Sequence, residues 1–407
     1  MRTVVFVAPL FRPNTNRYLR GFCSLSGVRV GVIGMEDAAM LDPRLRDQVA
    51  GFAQVRDVGD PDQLVRAATE LRARLGGLDV LTGSLEELQI PVAIARERLG
   101  IPGMHEAVAR NFREKARMKE VLRDAGVPVA RHRLVGSMAE AQRFAAEVGY
   151  PLVAKPPAGL GARATWRVRD NDELAAALGR FGVDPERPVV CEEFVTGREN
   201  TCETVVIGGR VVWHSGTRYL NAPLEVLENP WMQYCVLLPR EEEQEVLDFH
   251  PINDRAIQAL GIETGLTHLE WFLRADGQAV VSEVGARPPG ANIMPLMTYA
   301  FGVDLVQRWC ALTVFEEFQP IERKYAVGTA FFRGTGQGRV VAVHGLREAQ
   351  AEVGGLVIDR MLPAVGAPRS TSYEGEGWAI VRAEDTATVV HGLRRLVELV
   401  RIEYSDS

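Results

Sequence analysis

Short apolar runs alternate with longer amphipathic stretches along the first 110 residues. The runs 4–8, 28–33 and 80–81 are short and rich in valine, isoleucine and leucine, which is typical of buried strands. The stretches 61–75 and 85–99 repeat apolar residues at helical spacing. Strands that alternate with helices in this way predict an open α/β domain with a mainly parallel sheet.

A second pattern predicts a β-hairpin with two acidic residues on one face. Strand-like runs flank an Asp-Gly pair at 276–277, which is typical of a two-residue hairpin loop. With that loop Glu270 faces Glu283, and His268 faces Gly285. Directly opposed carboxylates destabilise a sheet unless cations compensate, and such oxygen ligands favour Mg²⁺. The alternative is an ordinary surface hairpin whose glutamates extend into water.

Composition limits the class of protein. The chain has 407 residues, of which 46% are hydrophobic and 25% charged, as in a globular protein of two or three domains. The net charge of −6 shows no excess of basic residues of the kind that binds nucleic acid or an anionic membrane surface, so neither is expected as a partner. No apolar run approaches the roughly 20 residues of a membrane span. Five cysteines without a C-x-x-C pair indicate reduced thiols, and hence a cytoplasmic location.

The common nucleotide-binding motifs are missing. Only four of the 47 basic residues are lysines, and none is followed by Ser or Thr, which excludes a P-loop. The first strand runs into Pro9 and Arg12 rather than into G-x-G-x-x-G, so the dinucleotide fingerprint is also missing. Any nucleotide must therefore be held in another way.

Two lysines stand at positions that suggest contact with an anion. Asn111 and Glu114 resemble a capping box, which predicts a helix from this point and places Lys115 in its first turns. The helix dipole disfavours a cation there, so Lys115 either extends into water or meets an anion. Lys155 ends an apolar strand at 151–155, and a loop with glycines at 159 and 161 follows.

A further acidic segment lies in and just after another predicted strand. Residues 189–195 form an apolar run that contains Glu192 and Glu193 and is followed by Glu199. An ordinary edge strand with solvated acids is the alternative interpretation.

Taken in order, these segments resemble the ATP-grasp superfamily, and more narrowly its biotin-carboxylase-like branch, which includes carboxylate–amine and L-amino-acid ligases. The motifs that carry the resemblance are Glu-Lys-Ala-Arg-Met-Lys (114–119), Val-Ala-Lys-Pro-Pro (153–157), Glu-Glu-Phe-Val-Thr-Gly-Arg-Glu (192–199), His-Leu-Glu (268–270) and Ser-Glu-Val-Gly-Ala-Arg-Pro-Pro-Gly (282–290).

The resemblance implies an ATP-grasp fold that combines α/β and α+β units. It predicts a Rossmann-like pre-ATP-grasp domain over 1–110 and an ATP-grasp domain over 111–319, with a lid subdomain at about 130–196. A small α+β domain is expected over 320–407.

The resemblance also implies the site. It predicts ATP as the nucleotide and Mg²⁺ as the metal, with Mn²⁺ as a substitute. Lys115, Lys155 and the Gly159/Gly161 loop are expected at the phosphates, Glu192 with the backbone of Phe194 and Val195 at the adenine, Glu199 at the ribose, Glu270 and Glu283 at the metal, and Arg287 with His268 at the transferred phosphoryl group.

The expected activity is ATP-dependent joining of a small-molecule carboxylate, an amino acid or small peptide, to an amine through an acyl phosphate. A homodimer is a further expectation. Many relatives have Asn where this chain has Gly285, so water or another residue such as Asn292 would supply that metal ligand. Two alternatives stay open: a bicarbonate- or purine-type ATP-grasp enzyme, which the glycine-poor lid loop argues against, and a non-catalytic ATP-binding module.

Overall fold

The computed structural model describes residues 1–158, 164–229 and 232–405. In these residues the strands form a four-stranded parallel sheet, a four-stranded antiparallel sheet, an eight-stranded sheet and a two-stranded sheet. The cleft discussed below lies where the first three sheets meet.

The first 100 residues form the predicted open α/β unit. Its parallel sheet has the order β3-β2-β1-β4. The elements are β1 (Arg2–Ala8), α1 (Pro13–Cys23), β2 (Val28–Gly34), α2 (Pro43–Arg46), β3 (Gly51–Gln54), α3 (Pro61–Leu75), β4 (Val80–Thr82) and α4 (Gln89–Leu99), with 3-10 turns at Ala38–Met40 and Glu86–Leu88. In open parallel sheets, ligand sites lie beyond the carboxyl ends of the strands. Glu86 follows the carboxyl end of β4 and so lies on that side of the sheet.

Two helices, α5 (Glu106–Arg113) and α6 (Lys115–Asp124), connect this unit to the rest of the chain. The predicted capping box at their junction is wrong. Asn111 lies inside α5, where its Nδ2 donates to the Leu260 carbonyl at 3.1 Å and its Oδ1 accepts from Arg117 at 2.7 Å. The Asn111 side chain is therefore bonded to Leu260 and Arg117 and does not cap a helix. Helix α6 begins at Lys115 without a side-chain cap.

Residues 132–193 form a small antiparallel sheet of order β5-β8-β6-β7 that is backed by two helices. The elements are β5 (His132–Val135), α7 (Met138–Val148), β6 (Leu152–Lys155), β7 (Trp166–Val168), α8 (Asn171–Phe181) and β8 (Val189–Glu193). Strands β6 and β8 are neighbours, with Lys155 paired to Val190 and Val153 to Glu192. This pairing places the predicted motif at 153–157 beside the start of the predicted motif at 192–199. Gly159 and Gly161 lie outside the described residues.

The largest sheet is antiparallel, with the order β13-β12-β9-β10-β11-β14-β17-β16. Its first part comprises β9 (Arg198–Ile207), β10 (Arg210–Tyr219), α9 (Pro223–Glu228), β11 (Tyr234–Leu238), α10 (Gln244–Leu260), β12 (Gly265–Leu273), β13 (Ala279–Gly285), α11 (Ile293–Phe301) and α12 (Leu305–Phe315). The two-residue turn between β9 and β10 is Gly208-Gly209, and both residues have positive φ. That conformation is the one a tight hairpin requires.

The C-terminal region contributes to the same sheet. Its elements are β14 (Ala326–Phe332), β15 (Val340–His344), α13 (Leu346–Val353), a 3-10 turn at Gly354–Leu356, β16 (Val357–Met361), β17 (Gly377–Ala383), α14 (Thr386–Leu399) and β18 (Arg401–Tyr404). Three of these strands extend the eight-stranded sheet, while β15 pairs with β18. The chain's last region is therefore built onto the sheet that carries the acidic hairpin.

One face of the acidic hairpin is fixed in a core. Trp271 is fully buried and stacks on Phe249 of α10, with ring centroids 4.0 Å apart and planes 7° apart. Because side chains alternate along a strand, anchoring Trp271 turns Glu270 toward the opposite face, where the cleft lies. Among the helices of the described residues, none is long and apolar enough to cross a membrane.

Candidate active site

The acidic pair forms as predicted, although the hairpin differs from the one expected. Arg274 N donates to Gln278 O at 2.9 Å, so the loop has three residues, with Gly277 at φ 81°. One extra residue in β13 then shifts the register between Trp271 and Glu270. The longer loop and the bulge compensate for each other, and Glu270 still pairs with Glu283. The predicted two-residue loop is wrong, but the predicted partners are right.

Cations surround the two opposed carboxylates. Lys115 forms an ion pair with Glu283, and His268 Nε2 lies 3.4 Å from Glu270 Oε1. Burial alone would raise the pKa of Glu283, but the charges of Lys115 and Lys155 outweigh it and lower that pKa to about 2. The pKa of Glu270 is lowered too, because His268 outweighs the effect of burial. Both glutamates are therefore ionised at neutral pH. Of the two outcomes expected for Lys115, water or an anion, the structure shows the anion, which is Glu283.

A second charge cluster lies at the ends of β6 and β8. The buried Glu192 carboxylate is 2.8 Å from Lys155 Nζ and 3.6 Å from Lys119 Nζ. Lys119 is 1% exposed, and burial lowers its pKa to about 8. Both predicted phosphate lysines, Lys115 and Lys155, are thus paired with acids.

His268 lies between two carboxylates. Its Nδ1 is 2.8 Å from Oε1 of Glu203, a fully buried residue on the neighbouring strand β9. Burial disfavours the imidazolium, but hydrogen bonds to Glu203 and Glu270 outweigh it and raise the pKa of His268 to about 9. The structure therefore places the His268 imidazolium beside Glu270.

Arg287 is held by an acid from the N-terminal α/β unit, Glu86 in the 3-10 turn after β4. Its Nε and Nη2 donate to Glu86 Oε2 at 3.0 and 2.8 Å. Burial lowers the pKa of Arg287, but the charge of Glu86 outweighs it and raises the pKa overall. The guanidinium is therefore fixed and charged.

One cleft brings together ten of the twelve predicted site residues. The members that line it are Lys115, Lys155, Glu192, Phe194, Val195, Glu199, His268, Glu270, Glu283 and Arg287. The remaining two, Gly159 and Gly161, are the glycines outside the described residues. Burial and the nearby charge of Glu270 raise the pKa of Glu199 well above its ordinary value. Asn292 is not among the described lining residues, and its Nδ2 lies 3.4 Å from Thr329 Oγ1.

Several residues of the site were not predicted from the sequence. Lys119, Glu86 and Tyr219 line the cleft, and Tyr219 donates to Glu270 Oε1 at 3.1 Å. Lys119 follows Lys115 by four positions, so helical spacing alone could have placed both on one face. Glu86 and Glu203 have no local signal of this kind.

The acidic pair suits Mg²⁺ that is bound together with phosphate. Two carboxylates from adjacent strands offer the hard oxygen ligands that Mg²⁺ prefers. Within residues 1–158, 164–229 and 232–405, no three His, Cys, Asp or Glu side chains are arranged to hold a metal ion by themselves. Phosphate oxygens and water would therefore complete the coordination, as is usual for Mg²⁺.

Comparison with known proteins identifies the class. The family model for the ATP-grasp domain matches residues 120–294. The structure of an L-amino acid ligase from Bacillus licheniformis superposes with a TM-score of 0.81 and 21% identity, over 100% of this chain and 99% of that one. Residues 120–294 therefore match the ATP-grasp domain and the chain has the ATP-grasp fold, in agreement with the resemblance of its motifs.

Similar sequences include two curated bacterial proteins. The uncharacterized protein y4rH of Sinorhizobium fredii is 30% identical over 298 residues, which are 71% of this chain and 60% of that protein. The L-arginine-specific L-amino acid ligase of Bacillus subtilis is 23% identical over 251 residues, or 60% of each chain. The chain thus spans about 60% of the length of these two relatives.

Proposed function

We propose that this protein is an ATP-dependent carboxylate–amine ligase. The observation that carries the proposal is the convergence, in one cleft, of Lys115 and Lys155 with the Glu270–Glu283 pair and Arg287. These are the charges that phosphoryl transfer needs, since it depends on positioning and on neutralising phosphate oxygens rather than on a protein nucleophile. An amino acid or a small peptide is the proposed acyl donor.

The proposed reaction has two steps. The substrate carboxylate attacks the γ-phosphoryl group of ATP, which gives an acyl phosphate and ADP; the amine then attacks the acyl carbon and releases phosphate. Lys115 and Lys155 exchange their carboxylate partners for phosphate oxygens as the nucleotide binds. When bound at Glu270 and Glu283, Mg²⁺ supplies charge neutralisation at the phosphates.

The residues near the reacting group have separate tasks. Arg287 and the His268 imidazolium bind the developing negative charge and orient the acyl phosphate. Val195, just beyond β8, offers its backbone to the adenine, and Glu199 offers its carboxyl group to the ribose hydroxyls. Glu192 places Lys155 and lies beside the adenine end of the cleft.

The test is ADP release from Mg-ATP across single amino acids and pairs, with hydroxylamine present to trap an acyl phosphate. Carboxylate-dependent release with hydroxamate formation supports the proposal and identifies the donor. Mg-ATP binding without turnover for any donor would contradict it and favour a non-catalytic nucleotide-binding module.

Location and assembly belong to the proposal as well. All five cysteines are free thiols, which suits the proposed cytoplasmic location. A homodimer stays a prediction that sedimentation or light scattering would test.

A further inference from the structure

Glu86 stands apart from the other acids of the cleft because it comes from the N-terminal α/β unit. It begins the 3-10 turn that comes after β4, and it lies 201 positions before Arg287 along the chain. Its Oε1 accepts from Arg113 Nη1 at 2.9 Å, and its Oε2 accepts from Arg287 Nε and Nη2. The three side chains are 11%, 6% and 19% exposed for Arg113, Glu86 and Arg287. Two arginines thus enclose one carboxylate at the edge of the cleft.

The contacts decide which part of Arg287 can meet a substrate. An arginine has five N–H donors, and it can present two of them along the Nε–Nη2 side or along the Nη1–Nη2 end. Glu86 takes the Nε–Nη2 side, and Pro288 O accepts one N–H of Nη1 at 3.0 Å. Within the described part of the chain these are the acceptors of Arg287, which leaves one N–H on each Nη atom, and Arg287 lines the cleft. These are the donors that can meet an oxygen of the acyl donor.

We propose that Glu86 is the positioning residue for Arg287: it fixes one edge of the guanidinium so that the other edge binds the acyl donor and its phosphorylated form. Glu86 does not itself touch the substrate. The inference rests on the proposed function, since it assigns a task in acyl-phosphate formation.

The physical reason is preorganisation. A free arginine side chain has many rotamers and loses that freedom when it is fixed. Glu86 fixes the side chain before the substrate arrives, so substrate binding energy is not spent on ordering it. The N-terminal unit therefore helps to build the catalytic site rather than only supporting it.

The competing view is that the Arg113–Glu86–Arg287 contact only holds two parts of the protein together. A double-mutant cycle separates the two views. Glu86→Gln should lower kcat for carboxylate-dependent ADP release about 100-fold, and Glu86→Asp, which keeps the charge, should lose less. In a protein that already carries Arg287→Lys, the second change Glu86→Gln should cost less than about threefold. The Kd for Mg-ADP should stay within about twofold, because neither phosphate lysine is changed.

Glu242→Gln is the matched control. Glu242 pairs with buried Arg323 at 3.1 Å, and neither residue is among the described residues that line the cleft. The control should lower stability and leave kcat within about threefold. Unchanged kcat in Glu86→Gln, or an equal loss in the Arg287→Lys background, would overturn the inference.

A second measurement does not need turnover. The Arg287 Nε–H resonance, assigned by its loss in Arg287→Lys, should exchange slowly with solvent in the wild type and in Glu242→Gln. It should exchange at least tenfold faster in Glu86→Gln, and unchanged exchange would refute positioning. Absence of turnover in the wild type with every donor would contradict the proposed ligase function instead, so the two failures are distinguishable.

Discussion

Replacing Glu203 with Gln should lower the pKa of His268 and so reduce the fraction of this side chain that carries a positive charge. Glu203 is fully buried and makes the shorter of the two carboxylate contacts, 2.8 Å against 3.4 Å for Glu270. The substitution keeps the side-chain volume but removes the anion. What remains is the burial of the imidazole, which favours the neutral form, and the longer contact to Glu270.

The magnitude follows from the pKa of His268. A pKa of about 9 against the ordinary 6.5 corresponds to about 3 kcal/mol in favour of the imidazolium, at about 1.4 kcal/mol for each pH unit. Because the folded-state pKa is raised, this stabilisation is fully present below pH 6.5 and is lost as the pH rises through about 9. The Glu203→Gln variant should lower the pKa of His268, and should flatten the dependence of stability on pH in that window.

Histidine NMR can measure this directly, because the chain has only seven histidines. The His268 resonance, assigned by its loss in His268→Asn, should titrate near pH 9 in the wild type and at least one pH unit lower in Glu203→Gln. Asp254→Asn is the control, since it removes the 2.6 Å partner of His214 and should leave His268 unchanged. A wild-type midpoint near 6.5, or the same midpoint in both proteins, would refute the reasoning.

Substitutions at three further residues test other parts of the molecule. Glu283→Gln should lower kcat by about 100-fold or more and change the Kd for ADP much less, because its charge acts at the moving phosphoryl group; normal turnover would contradict the metal assignment. Lys155→Ala should weaken Mg-ADP binding about 10- to 100-fold, since a hydrogen bond to a charged group contributes about 1.5–3 kcal/mol, and calorimetry would detect the change. Trp271→Ala should cost about 3–5 kcal/mol of unfolding free energy, and Trp271→Phe clearly less, because the ring is buried against Phe249. Equal chemical denaturation curves for these two variants would argue against that packing.

The acidic hairpin shows which features can be predicted from neighbouring residues in the sequence and which cannot. Strand alternation and the Asp-Gly signal predicted that Glu270 faces Glu283, and the pair forms because a longer loop and a bulge cancel each other's shift in register. The loop length and the bulge near residue 282 were not predictable, because a bulge depends on how both neighbouring segments pack. Asn111 illustrates the opposite limit, since its local pattern predicted a cap while a carbonyl 149 residues away takes its side chain.

The sequence by itself determined the elements whose physics is local: the parallel α/β start, the strand that ends at Lys155 and the two strands of the acidic hairpin. Periodicity and turn residues act over a few positions, so they can be read along the chain. Only the tertiary structure decided that Glu203 contacts His268, that Lys119 lies beside Glu192 and that Glu86 accepts hydrogen bonds from Arg287. These contacts join residues 65 to 201 positions apart, and their formation depends on which strands become neighbours in space.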